Sequence, residues 1–226
     1  LPEKRRKIVE TADGSSTLFL PEWQEGYHSK HGAIREARHV FIENGFSRLA
    51  HREALRILEI GLGTGLNALL SFLEVREATV KVEYIGMEKH PLTPAEVSCL
   101  NYASQLEAAC AAEVLQKIHE SAWRAPVALS PHFSLSKIRA DFRAFDQLGL
   151  PEVDLVYYDA FSARVQAALW EDQTIAPIAE SVKRGGVFVT YSSKASLRRL
   201  LGRLGFTVEK RPGPAGKREM VSALKR

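Results

Sequence analysis

Leu58-Glu59-Ile60-Gly61-Leu62-Gly63-Thr64-Gly65-Leu66-Asn67 is the stretch that decides the fold. An apolar strand, Leu55 to Ile60, runs into three glycines at alternate positions, and a helix-forming stretch, Leu66 to Val75, follows. Glycine is required where a chain turns sharply and where a ligand must lie against bare main chain. The pattern therefore predicts a nucleotide-cofactor loop at the end of a first strand. Its spacing excludes two common versions. The dinucleotide fingerprint needs a glycine three residues after its second one, and this chain has Leu66 there. A P-loop needs Gly-Lys-Ser/Thr, and the loop holds no lysine.

From Leu55 onward, strand and helix patterns alternate. Strands are expected at Leu55–Ile60, Val82–Met87, Phe133–Ile138, Leu155–Tyr158, Val187–Tyr191, Phe206–Lys210 and Met220–Leu224. The clearest helices are Leu66–Val75, Ala95–Leu106, Ala111–His119, Ile175–Val182 and Leu197–Leu204. Such alternation implies a mostly parallel sheet covered on both faces. The last two strands are joined only by Pro212-Gly213-Pro214-Ala215-Gly216, which permits antiparallel pairing but no crossover. Seven strands ending in a hairpin describe an α/β, Rossmann-like sheet whose last strand is antiparallel. Residues 54–226 form this domain in our reading. Residues 1–53 form an N-terminal extension, with a hairpin at Asp13-Gly14-Ser15-Ser16 and a helix from His31 to Asn44. An acidic residue two before the first glycine, followed by G-x-G-x-G, resembles the loop of class I S-adenosylmethionine (SAM) methyltransferases.

The chain has 226 residues, 45% of them hydrophobic, which suits one α/β domain with a small appendage. No apolar run approaches the ~20 residues of a membrane helix. Leu1 to Arg6 is charged with no apolar stretch behind it, unlike a secretory leader. Cys99 and Cys110 form no C-x-x-C pair and read as buried apolar filler in a reducing cytoplasm. No spacing of His, Cys, Asp or Glu suggests a metal site. The net charge of +4 and pI of about 9.1 fit a polyanionic partner without demonstrating one. Basic residues cluster at Lys4-Arg5-Arg6-Lys7, at Arg198-Arg199 with Arg203, and at Lys210-Arg211 with Lys217-Arg218.

In an open parallel sheet, ligands lie at the carboxyl ends of the strands, near the point where strand order reverses. The glycine loop offers Glu59, Gly61, Leu62, Gly63, Thr64, Gly65 and Asn67 as cofactor contacts. After the second strand come Glu88 and Lys89. A carboxylate at Glu88 can accept hydrogen bonds from both hydroxyls of a ribose. After the third come Asp141 and Phe142, suited to an adenine amino group and ring; helix capping by Asp141 is the competing reading. After the fourth comes Asp159, placed for the methyl-donor end of the cofactor and an amine acceptor, or alternatively for capping the next turn. After the fifth, Ser192 and Lys194 either face substrate or form an ordinary loop and helix start. Pro21 to Ser29 mixes aromatic and polar residues and is expected to form a lid. Within it, Tyr27 can stack on a base, and His28 is either a substrate contact or a structural histidine.

Taken together these segments resemble the tRNA wobble-uridine methyltransferases that convert 5-aminomethyl-2-thiouridine to its methylaminomethyl form, a domain found alone or fused to a flavin-dependent oxidase. The matching stretches include Gln24-Glu25-Gly26-Tyr27-His28-Ser29, Leu58 through Asn67, Glu88-Lys89-His90-Pro91-Leu92, Tyr158-Asp159-Ala160-Phe161, Tyr191-Ser192-Ser193-Lys194 and Gly216-Lys217-Arg218-Glu219-Met220. They run in order along nearly the whole chain. Departures are Ala163 and Ala167, where proline is expected, and Ala195, where glycine is expected. The resemblance implies a cytoplasmic enzyme using SAM, without metal or flavin. It implies methylation of a primary amine on an anticodon-loop base, with a separate enzyme installing the aminomethyl group. It places Asp159 at the catalytic position, with Tyr27, His28, Ser192, Lys194, Lys217 and Arg218 toward the RNA. Two other readings share the fold: an aminopropyltransferase acting on small amines, and a non-catalytic SAM- or RNA-binding module.

Overall fold

The computed structural model describes residues 6–77 and 80–226. Lys4 and Arg5 of the first basic cluster lie outside the described residues. The N-terminal segment forms a three-stranded antiparallel sheet of β1 (Lys7–Glu10), β2 (Ser16–Leu20) and β3 (Glu25–Gly26). Helix α1 (Ala33–Ala37) follows and continues as a π-helical turn over Arg38–Glu43. Its inner face, Ala33, Ala37, Val40 and Phe41, is buried in the same core as the central sheet. The helical spacing read from the sequence is thus real, but the extension shares its core with the rest of the chain.

The central sheet comprises β4 (Ala54–Ile60), β5 (Lys81–Glu88), β6 (Pro126–Ser130), β7 (Phe133–Arg139), β8 (Val153–Tyr158), β9 (Val182–Thr190), β10 (Phe206–Pro212) and β11 (Glu219–Lys225). Their order is β10-β11-β9-β8-β4-β5-β7-β6. Strands β7, β5, β4, β8 and β9 are mutually parallel, and β11 runs antiparallel between β9 and β10. All seven anticipated strands are present. An eighth, β6, pairs antiparallel with the edge of β7; it shows partial burial and little apolar periodicity, which hid it in the sequence. Strand order reverses between β4 and β8, so the glycine loop sits at the switch point.

Helices α2 (Leu66–Glu77), α3 (Pro94–Ser98), α4 (Tyr102–Leu106), α5 (Ala111–Glu120), α6 (Asp172–Glu180) and α7 (Ala195–Arg203) cover the sheet. Every residue of β8 is buried, and alternate residues serve opposite faces. Leu155 and Tyr157 join one core, Val156 and Tyr158 the other.

Three expectations need correction. The single helix expected over Ala95–Leu106 breaks at Cys99–Asn101. Asn101 leaves the helix to bind the N-terminal turn: its Oδ1 accepts from Ser16 N at 2.6 Å and its Nδ2 donates to Gly14 O at 2.8 Å. The helix expected to run to Val182 stops at Glu180, because Val182 already pairs with β8. Cys99 is exposed, so it is not core filler, while Cys110 is half-buried and packs against the core. Among the described residues, no helix is long and apolar enough to cross a membrane.

Candidate active site

The glycine loop stitches three strand ends together. Gly61 N and Leu62 N both donate to Met87 O of β5, at 3.0 and 2.9 Å, and Asp159 N donates to Ile60 O at 3.0 Å. Gly61 lies at φ +96°, and a Cβ on it would stand 2.6 Å from Asp159 O. No side chain is compatible with that approach. Gly63 N donates to Glu88 Oε2 at 3.0 Å, while Glu88 Oε1 accepts from His90 N at 2.7 Å. From behind, His119 Nε2 donates to Thr64 O at 3.0 Å, and the buried Lys137 donates to His119 O at 2.5 Å.

Beneath the loop lies a buried polar cluster. Glu59 is fully buried and accepts from Asn67 Nδ2 at 2.8 Å and Tyr84 OH at 2.9 Å. Asn67 Nδ2 also donates to Asp159 Oδ2 at 2.9 Å, so one amide joins two carboxylates. Burial, with the nearby Asp159 charge, pushes the Glu59 carboxyl well above the usual carboxylate range. Asp159 is pushed up to about 7, chiefly by burial and then by the Glu36 charge; the Asn67 bond and Lys217 act in the opposite direction. Asn67 Oδ1 is buried and has no hydrogen-bond partner among the described residues.

Above the loop is a cavity of about 1020 Å³. It brings together Tyr27, His28, Gly61, Leu62, Gly63, Thr64, Asn67, Glu88, Lys89, Asp141, Phe142, Asp159 and Lys217, all singled out from the sequence. Five others do not line it. Glu59 points below the loop as a support. Gly65 packs toward α5, its added Cβ 3.2 Å from His119 Nε2. Ser192 belongs to the turn before α7, Lys194 sits exposed at that helix's N-cap, and Arg218 is exposed on the β10–β11 hairpin.

Asp141 caps the 3-10 helix Phe142–Leu148, the competing reading, and it also lines the cavity. Arg143 and Lys89, at 2.7 and 2.6 Å, hold its carboxyl well below the usual range. His28 Nδ1 bonds Thr17 Oγ1 at 2.8 Å, and burial pushes its pKa down to about 4. It is a neutral, structurally satisfied histidine at the cavity wall.

Three residues escaped the sequence reading. Glu25 latches the N-terminal segment to the loop after β8: it accepts from Ser162 N at 2.8 Å, Ser162 Oγ at 2.7 Å and Arg164 Nη2 at 2.9 Å. Phe161 receives Tyr27 and Trp23 edge-on, with centroids at 4.9 and 5.3 Å. Glu36 is buried on the inner face of α1 and pairs with Lys217 at 2.7 Å. The signal for Glu36 was available: it takes the i+3 place in the stripe Ala33, Ala37, Val40, where an apolar residue belongs.

This sheet order, with a glycine loop at the switch point and carboxylates at the ends of β5 and β8, defines a class I SAM-dependent methyltransferase. A family model described as S-adenosyl-L-methionine-dependent methyltransferase matches residues 110–226, just over half the chain. The bifunctional tRNA 5-methylaminomethyl-2-thiouridine biosynthesis protein MnmC of Hydrogenovibrio crunogenus is 29% identical over 96% of this chain and 33% of its own length. MnmC of Burkholderia multivorans is 30% identical over 91% and 33%. The crystal structure of MnmC2 from Aquifex aeolicus superposes with a TM-score of 0.81 at 29% identity, covering all of this chain and 71% of that one. The chain therefore belongs to the SAM-dependent methyltransferase family that includes the methyltransferase domain of MnmC. It spans about a third of the length of the curated relatives it matches.

The residues present fit SAM. Gly61 and Gly63 line the cavity above the loop. Asn67 Oδ1 is an acceptor awaiting a donor such as an ammonium group. Among the described residues, no group of three or more His, Cys, Asp or Glu is arranged to hold a metal ion.

Proposed function

We propose that this chain is a cytoplasmic enzyme that methylates the primary amine of 5-aminomethyl-(2-thio)uridine at the wobble position of tRNA, giving the 5-methylaminomethyl form. A separate enzyme supplies the aminomethyl group. The observation that carries the reading is Asp159. It stands at the end of β8, half-buried, tied through Asn67 to the cofactor loop, and facing a cavity that also holds Glu36 and the Tyr191 ring. A carboxylate facing such a cavity is the chemistry that receives an amine.

Bound SAM supplies an electrophilic methyl on a sulfonium centre. In this reading Glu88 accepts from the ribose hydroxyls, Asp141 and Phe142 meet the adenine, and Asn67 accepts from an ammonium. The acceptor amine must attack as the free base. A new N–CH3 bond then forms as the S–CH3 bond breaks, and the resulting secondary ammonium can release its proton to Asp159 or to water. With an amine near ~10.4 and an ordinary carboxylate near ~3.9, transfer to Asp159 would be uphill by roughly 9 kcal/mol. With Asp159 at about 7, the gap falls to about 3 units, or roughly 4–5 kcal/mol. Asp159 can thus orient the amine, stabilise its developing charge and serve as a transient proton acceptor.

An anticodon-loop base is single-stranded, so presenting it costs less than extruding one from a duplex. Tyr27, Trp23 and Phe161 offer aromatic surface for it. The exposed Lys194 and Arg218 suit backbone phosphates, with affinity that falls as salt rises.

The test is transfer of radiolabelled methyl from SAM to bulk tRNA from cells lacking this protein, followed by nucleoside analysis. Label in 5-methylaminomethyluridine or its 2-thio form is expected. SAM binding with unlabelled tRNA would remove the RNA assignment. Turnover of decarboxylated SAM with a small amine would replace it with aminopropyl transfer.

A further inference from the structure

We propose that Glu36 and Lys217, ion-paired with each other in the cavity that Asp159 lines, are a positioning pair that balances the charge around the Asp159 carboxyl. The inference rests on the reading that the acceptor is an amine. Neither residue is near Asp159 in sequence. Glu36 lies on α1 and Lys217 on the turn between β10 and β11. The fold brings both into the cavity that Asp159 lines.

Their placement is heavily constrained. Glu36 Oε2 accepts from Ser29 N at 2.7 Å and Oε1 from Lys217 Nζ at 2.7 Å. The Lys217 ammonium also lies 3.8 Å from the centroid of the Tyr191 ring. Tyr191 OH donates to Ala160 O, the residue after Asp159, at 2.7 Å. Gly216 holds the preceding position at φ +86°, and a Cβ there would overlap His31 at 2.5 Å, so the hairpin seats Lys217 in one place. A line of contacts thus runs from the loop after β8 through Tyr191 and Lys217 to Glu36.

The charges act with opposite signs. A Glu36 anion disfavours a second anion at Asp159, and the Lys217 cation favours it. Other titratable groups coupled to this site are Glu59, reached through Asn67, Tyr84, which senses Glu59 and Asp159, His28, which senses Glu36 and Lys217, and Tyr191, which also senses Glu25 and Tyr158. With Lys217 neutralising Glu36, the pocket presents the single charge of Asp159 to a single incoming amine. That balance would be lost if either partner were removed.

The test combines two measurements on the full chain. One is the pH profile of kcat/KM for methyl transfer to tRNA. The other is carboxyl-¹³C titration of Asp159 in the ligand-free protein. Glu36→Gln keeps the bond from Ser29 N and is expected to move the acid limb, and the Asp159 titration, to lower pH. Lys217→Met is expected to move both to higher pH. Each displacement should be about half to one pH unit, a three- to tenfold change in rate on the limb. Lys217→Arg should keep the wild-type midpoint, and Glu36→Gln/Lys217→Met should return toward it. Circular dichroism confirms folding, and an unfolded Met variant is replaced by Lys217→Gln. Displacements of the same sign, or none in the carbon titration, would overturn the pairing. Should the wild type fail to methylate tRNA, the proposed function falls, while the titration of the ligand-free protein still decides the pair.

Discussion

Replacing Asp159 by Asn tests the electrostatics of the site through stability as well as activity. The substitution is nearly isosteric, and its Oδ1 can still accept from Asn67 Nδ2, so packing is preserved. In the wild type, the carboxyl titrates at about 7 in the folded chain against 3.8 for an ordinary aspartate. A folded pKa raised above the unfolded one means that the native state binds the proton more tightly. The associated stability is fully present below about pH 4 and is lost as pH rises through about 7. Three units correspond to a ceiling of about 4 kcal/mol, and relaxation around a partly exposed carboxylate reduces this to about 2–3 kcal/mol. Asn removes the titration. Denaturant unfolding at a series of pH values should show the variant gaining on the wild type between pH 4 and 7, then holding a constant lead of about 2–3 kcal/mol. At the same time, kcat/KM for methyl transfer should fall by about 100-fold or more, as for loss of a charge-stabilising group. A pH-independent stability difference, or a variant less stable than wild type at pH 8, would refute the reasoning.

Three further outcomes follow from the geometry. Gly61→Ala forces a Cβ to 2.6 Å from Asp159 O at φ +96°; strain of about 1–3 kcal/mol should show in the melting curve, and calorimetry should show SAM binding weakened more than tenfold. Glu59→Ala strips both Asn67 Nδ2 and Tyr84 OH of their buried acceptor, so a loss of about 2–4 kcal/mol is expected by denaturant unfolding, whereas Glu59→Gln, able to bond both neighbours, should lose less than half as much. Asn101→Ala removes the bonds to Ser16 N and Gly14 O; hydrogen exchange should accelerate in β2 and the preceding turn, with a global cost of about 1–3 kcal/mol. Slow exchange there, equal to wild type, would show that the turn stands without Asn101.

Features governed by local geometry were legible before the structure. The three loop glycines could be read because positive φ and close backbone approach leave few alternatives to glycine. Glu88, Asp141 and Asp159 could be placed because a parallel sheet delivers the residues after its strands to one edge. What escaped depends on partners far away in sequence. Asp141 is engaged by Lys89, 52 residues earlier, and Glu36 meets Lys217, 181 residues later. Glu59 was expected at the cofactor as part of the glycine-loop pattern. Instead, Asn67 and Tyr84 bond it inside the core. The break at Asn101 was masked by helix-compatible residues on both sides. Its cause is a hydrogen-bond pair to a turn 85 and more residues away.

The packing of α1 has a consequence for how the molecule is made. During synthesis the N-terminal wall of the pocket leaves the ribosome first, yet the surfaces that hold it come much later. Phe41 rests against Tyr157, Gly45 against Val189, and Glu36 waits for Lys217. The strand that joins β9 to β10 is made later still, as β11. The pocket therefore closes only when α1 meets the β10–β11 hairpin, after nearly all of the sheet has been translated. Pulse-labelled nascent chains arrested before β11 should leave the first forty or so residues open to protease, and those released after it should not. In this fold the site is complete only once β11 has been made.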